Sequence, residues 1–146
     1  MGNGDFKAEV KLKNQKVKFE GISLLNPTRH IDFDYAKPMG DDEGFRGLEL
    51  LLLSFGGCVS TTIVFLIRRQ GKEINSFKMN LEGVKKENPL SIEKINFEVE
   101  IDSEEITEED IQVIAKQTEA LSPVWNMIKG NCIVQGNYIL RNKEAK

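Results

Sequence analysis

The sequence predicts a mixed chain of sheet strands and helices gathered around one long apolar helix, and three observations carry this. Residues 50–67, LLLLSFGGCVSTTIVFLI, run eighteen positions without a charge. Segments on both sides of that run alternate apolar and polar residues with the period of two that suits a half-buried strand. Further on, a stretch beginning at Glu108 repeats its apolar residues at helical spacing. At 146 residues the chain has the length of one domain, 1–146, with enough apolar material for its own core.

The first strands come from FKAEVKLKNQKVKF, in which Phe6, Ala8, Val10 and Leu12 face one way and Lys7, Glu9, Lys11 and Lys13 the other. Asn14-Gln15 supplies the turn, and Val17 and Phe19 resume the pattern as a hairpin with one wet face. Short extended pieces follow, broken at Asn26-Pro27 and Lys37-Pro38, and the polar loop MGDDEGFRG leads into the apolar run as candidate trim for an active site. The long helix should begin near Leu48 with Glu49 in its first turn and end with Arg68 and Arg69 before Gly71, charges the macrodipole favours. SFKMNLEGV and SIEKINFEVEID then give two antiparallel strands, with Phe77, Met79, Leu81 and Ile95, Phe97, Val99, Ile101 inward. Thr107 caps a helix whose core stripe is Ile111, Ile114, Ala115, Thr118 and Leu121. Ser122-Pro123 breaks it and opens a short helix over VWNMIK that ends at Gly130, with Ser122 as its cap. CIVQGNYILR closes the sheet as the last strand.

Composition excludes several classes. Hydrophobic residues at 40%, charged residues at 29% and a formal charge of −3 give no pull toward nucleic acid, and Glu9 and Glu20 interrupt the early lysines. Ser54, Gly56, Gly57, Cys58, Ser60, Thr61 and Thr62 dilute the apolar run, so a membrane span is not expected. A helix apolar on nearly every side must then be covered by protein all round, by a sheet and by a second subunit, so a dimer is expected. MGNGDFKAEV lacks the basic start and apolar core of a signal peptide, which leaves a cytoplasmic setting as the expectation. Cys58 and Cys132 lie far apart without a CxxC pair, and as free thiols they carry any redox role singly.

With His30 the single histidine, no histidine-rich metal site is expected, and the nucleotide, dinucleotide, hydrolase and zincin motifs are missing their starting residues. Thiol chemistry remains. Cys58 is either a small packed residue or a reagent. Two adjacent glycines inside a helix cost on the order of 2 kcal/mol against alanine, so something near Cys58 needs the space. A thiol becomes a good nucleophile once ionised, which takes a cation or a helix N-terminus. Cys58 sits about three turns into the helix, so an arginine must serve, and Arg46 and Arg29 are the two upstream.

The run GDDEGFRGLELLLLSFGGCVSTTIVFLIRRQG, followed later by SPVWNMI, resembles the OsmC/Ohr family of thiol-dependent peroxidases, most closely its OsmC-like branch. The resemblance covers nearly the whole chain and is most specific over residues 44–69. It implies an α+β fold in which curved antiparallel sheets and a long central helix from two subunits intertwine. It also implies that a thiolate at Cys58, the peroxidatic position, reduces organic hydroperoxides to leave a sulfenic acid that a second cysteine resolves, without cofactor or metal. Here Ser122 stands at the resolving position, and Gly47 replaces the family's proline. Glu49 falls nine residues before Cys58, as in the OsmC-like branch, whereas the organic-peroxide enzymes carry their glutamate at the place of Leu48. The leading expectation is a homodimeric hydroperoxide reductase with one reacting cysteine, Arg46 or Arg29 beside it, and an external thiol reductant. The alternatives are a catalytically silent dimer that keeps an apolar ligand pocket, and a thiol protein of sulfur handling. Cys132, ten residues beyond Ser122, is either a substitute resolving thiol or a packed residue.

Overall fold

The computed structural model describes residues 4–142, so residues 1–3 and 143–146 of the expected domain lie outside it. The chain forms two compact units that meet in sequence between Leu50 and Leu51.

In the first unit β1 (Ala8–Leu12), β2 (Phe19–Ser23) and β3 (His30–Phe33) form an antiparallel meander in that order. The β1/β2 register pairs Ala8 with Ser23 and Leu12 with Phe19. Asn14 closes the hairpin as expected, its Oδ1 accepting the N–H of Lys16 at 2.9 Å and of Lys18 at 3.1 Å. The one-wet-face expectation does not hold for β1. All five of its residues are exposed, Val10 to 61% and Leu12 to 52%. As an edge strand it presents its apolar row from a unit that contains only the first turn of a helix.

α1 spans Gly47–Arg69, with Glu49 in its first turn, Arg68 and Arg69 in its last, and Gly71 beyond at φ +75°, a conformation glycine adopts freely. In the second unit β4 (Ser76–Lys86) and β5 (Ser91–Asp102) form a long antiparallel hairpin with an irregularity at Val84/Lys85. α2 (Glu108–Leu121) and α3 (Pro123–Ile128) follow, and β6 (Ile133–Arg141) completes a sheet of order β4-β5-β6. β6 pairs with β5 in parallel, from Lys94 opposite Ile133 to Asp102 opposite Arg141. The sheet is therefore mixed rather than wholly antiparallel, because α2 and α3 return the chain to the starting end of β5, as a parallel crossover requires.

Alternation on β5 sends Ile95, Phe97, Val99 and Ile101 inward, where they meet Phe55, Val59, Ile63, Leu66 and Ile67 of α1 in one core. α2 begins as predicted at Thr107, whose Oγ1 accepts from the Asp110 amide while the Asp110 carboxylate accepts from the Thr107 amide. Its stripe buries Ile111, Ile114 and Thr118, but Leu121 is 56% exposed. The chain turns into α3 at that point, and Ser122 takes the buried place instead. α1 is long and apolar enough to cross a bilayer by composition alone. Its five large residues in the core, none more than 2% exposed, give it the packing of a core helix.

Two glycines admit close neighbours. A Cβ on Gly136 would strike the tip of the Phe97 ring, and one on Gly56 would come 2.5 Å from a Leu81 methyl group. The ring is held among other aromatics while the leucine tip can swing. Gly136→Ala is therefore expected to cost about 1–3 kcal/mol in urea unfolding, and Gly56→Ala less, since alanine returns up to about 1 kcal/mol of helix propensity.

Candidate functional site

Cys58 lies about three turns into α1, between open Gly57, beside which an added Cβ meets nothing, and fully buried Val59. The residue is half-buried, on the border between the helix's packed and open faces, and its carbonyl accepts the Thr62 hydroxyl at 3.0 Å. Phe55, one turn earlier, anchors this part of the helix. Its ring lies 5.9 Å from Phe97 and 5.5 Å from Trp125, centroid to centroid, and Phe97 meets Trp125 and Tyr138 edge-on at 5.7 and 5.9 Å. These contacts tie α1, β5, α3 and β6 together, which places the turn leading into α3 in the same packed assembly as the turn carrying Cys58.

Ser122 opens α3 but does not cap it. Its carbonyl accepts the amide and side chain of Asn126 at 3.0 and 3.1 Å, while its hydroxyl is fully buried and unpartnered among the described residues. Proline at the first helical position has no amide to offer, and the hydroxyl turns inward rather than toward the next ones. Thr118, one turn earlier on α2, has the same buried, unpartnered hydroxyl. Cys132 packs beside the core, and burial pushes its thiol pKa up, which disfavours the reactive thiolate.

The other predicted residues belong to the first unit. Arg46 precedes α1; its Nη2 stands 3.2 Å from Asp42 Oδ1, its Nη1 3.7 Å from Glu49 Oε1, and its guanidinium carbon 5.8 Å from the Tyr35 ring centre. Glu49 also accepts the Arg46 amide at 2.9 Å, so the structure joins these two as a pair at the start of the helix. Arg29 lies on the exposed β2/β3 connection, its backbone bonded to Asn26 and Ser23. His30 is exposed on β3, 3.7 Å from Glu20. No group of three or more His, Cys, Asp or Glu side chains among the described residues could hold a metal.

Two features escape sequence reasoning. The orphan hydroxyl of Thr118 is invisible to a helical pattern that counts Thr only as stripe. Asp34 is 4% exposed, and its carboxylate accepts the amides of Tyr35, Asp41 and Glu43 at 2.7, 3.2 and 3.1 Å. Burial works to raise its pKa, yet those three amides hold it below the usual 3.8. The available signal was an aspartate just ahead of a glycine-containing loop, the usual setting for a side chain that gathers backbone amides.

A family model of OsmC-like proteins matches residues 40–135. Among solved structures the chain is similar to an OsmC-like protein from Mycoplasma pneumoniae, with 21% identity, TM-score 0.80 and coverage of 96% of this chain and 99% of that one. It is similar to a hypothetical protein from Aquifex aeolicus at 18% identity and TM-score 0.80, covering 96% and 98%. Similarity to the organic hydroperoxide resistance protein OhrB of Bacillus subtilis is lower, at 14% identity and TM-score 0.60, covering 96% and 100%. No curated protein matches the sequence.

Tyr138 offers a check on the packing around Phe97. Burial, and secondarily the charge of Glu119, push its phenol from 10 up to about 12. Its contribution to stability is complete below pH 10 and drains as pH rises from 10 to 12, where the unfolded chain ionises first. In a Tyr35→Phe variant, phenolate absorbance should titrate near pH 12; a midpoint at 10 would place the ring in solvent.

Proposed function

The chain belongs to the OsmC-like family, and on that footing we propose that it reduces small organic hydroperoxides with Cys58 as its reacting thiol and an external thiol as reductant. The carrying observation is the setting of Cys58, anchored through Phe55 and Val59 yet half-exposed beside open Gly57, while burial disfavours ionisation of Cys132.

The Cys58 thiolate attacks the outer peroxide oxygen. An S–O bond forms as the O–O bond breaks, sulfur is oxidised to a sulfenic acid, and the organic oxygen takes a proton and leaves as an alcohol. The hydroxyl of Ser122 cannot form a disulfide. A first external thiol therefore displaces water to leave a mixed disulfide, and a second removes that sulfur as its own disulfide and restores Cys58. Arg46 or Arg29 is proposed as the cation for the thiolate; Asp42, Glu49 and Tyr35 orient the Arg46 guanidinium at the start of α1. A reducing cytoplasm supplies the thiol. A second copy of the chain covers the open face of α1, where Leu53 and Phe65 are 49% and 58% exposed on either side of Gly57.

Wild-type protein given an alkyl hydroperoxide and a dithiol should consume peroxide at least tenfold faster than Cys58→Ser. Equal rates would support the silent, ligand-binding reading. Ser122→Cys should let a disulfide form between Cys58 and the thiol introduced at position 122, seen as loss of two hydrogens in intact mass. The same substitution should leave stability unchanged or raise it by about 1 kcal/mol, since a thiol tolerates burial without a partner. For the dimer, Gly57→Ala should weaken association in sedimentation runs over a concentration series. A monomer at every concentration, stabilised by about 1 kcal/mol through better helix propensity, would contradict it.

A further inference from the structure

We propose that Asp34 is the positioning residue for Arg46: its buried carboxylate gathers residues 35–45 so that Tyr35 and Asp42 converge on the guanidinium. The proposal rests on the reading that Arg46 serves Cys58.

The ion pairs of Arg46 do not hold it by strength. Asp42 and Glu49 are 61% and 52% exposed in their side chains, and pairs of that kind contribute little. What orients the guanidinium is the shape of the loop that presents its partners. Ahead of the bridge that Phe45 makes to β3, that loop has no strand or helix to satisfy its amides, and Asp34 supplies both oxygens to three of them, spread from residue 35 to residue 43. The Asp34 amide donates to the Phe45 carbonyl at 3.1 Å and the Phe45 amide to the Asp32 carbonyl at 2.9 Å, which fastens the residue before Arg46 to the end of β3. Asp42, in the left-handed region at φ +59°, donates its amide to the Tyr35 carbonyl at 2.9 Å, so the two residues that flank the guanidinium are bonded to each other. Gly40 has no side chain where one would strike the Asp34 carboxylate and the Tyr35 backbone. An amide in place of the carboxylate keeps the size but turns an NH2 group toward backbone donors.

The test uses the full chain in a Cys132→Ser background, with the Arg46 side-chain Nε–H resonance assigned by its loss in Arg46→Lys. In the parent this line should be resolved and displaced by the Tyr35 ring. In folded Asp34→Asn it should move to the position of a free arginine, and the pH midpoint for alkylation of Cys58 by a neutral haloacetamide should rise. A folded Asp34→Asn protein with the Arg46 line unmoved overturns the proposal. A line that moves while the Cys58 midpoint stays put supports the positioning and removes Arg46 from the thiol chemistry instead, so the two failures are separable. Should Asp34→Asn not fold, hydrogen exchange in the parent decides. The amides of Tyr35, Asp41 and Glu43 should exchange at least about tenfold slower than unprotected ones, and free exchange at all three overturns the proposal.

Discussion

The packing of Phe55 against Phe97 and Trp125 is the contact on which the second unit turns. It holds the turn of α1 just before Cys58 against the central strand and fixes α3 from the other side. Replacing such a ring by alanine costs about 3–5 kcal/mol, a large share of the stability of a domain this size. The neighbouring glycines follow from the same contact. Gly136 leaves room for the Phe97 ring on β6, and Gly56 lets β4 approach the helix through Leu81. Gly57 is different, because nothing described lies beside it. Of the two glycines that the sequence sets before Cys58, one serves the core and the other leaves open surface next to the thiol.

Ser122 gives that site its particular character. A buried hydroxyl without a partner costs about 1–3 kcal/mol, and the described residues include two, at Thr118 and Ser122, one helical turn apart. A cysteine at this position would meet the same burial with little polar demand. The resemblance places a thiol there, and the surroundings suit a thiol better than the serine present. On the proposed reading, a serine at this position joins a stability cost to dependence on an outside reductant, since its hydroxyl forms no disulfide.

Much of this was legible in the sequence because local rules agreed with the tertiary outcome. Arg68, Arg69 and Gly71 marked the end of α1, Thr107 and Asp110 wrote a capping box, and the alternation of Ile95 through Ile101 gave β5 its inner face. What failed depended on long-range pairing. The apolar row of CIVQGNYILR is compatible with either direction beside β5, and only the path through α2 and α3 makes β6 parallel. Leu121 fits its stripe but stands where the chain turns away, and Val10 and Leu12 alternate correctly on an edge strand with an uncovered face. Cys58 was singled out by motif, and it lies on the long helix. The convergence of Tyr35, Asp42 and Glu49 on Arg46 was not legible, because it follows from a loop shaped by Asp34 rather than from any spacing.

The central claim is that Cys58 is a reagent rather than packing. It is tested most directly by adding one equivalent of an alkyl hydroperoxide to the reduced protein without any thiol, trapping with a sulfenic-acid-specific diketone, and mapping the adduct by peptide mass. The account predicts stoichiometric label on Cys58 and none on Cys132. Unlabelled Cys58 with the peroxide left intact would contradict it.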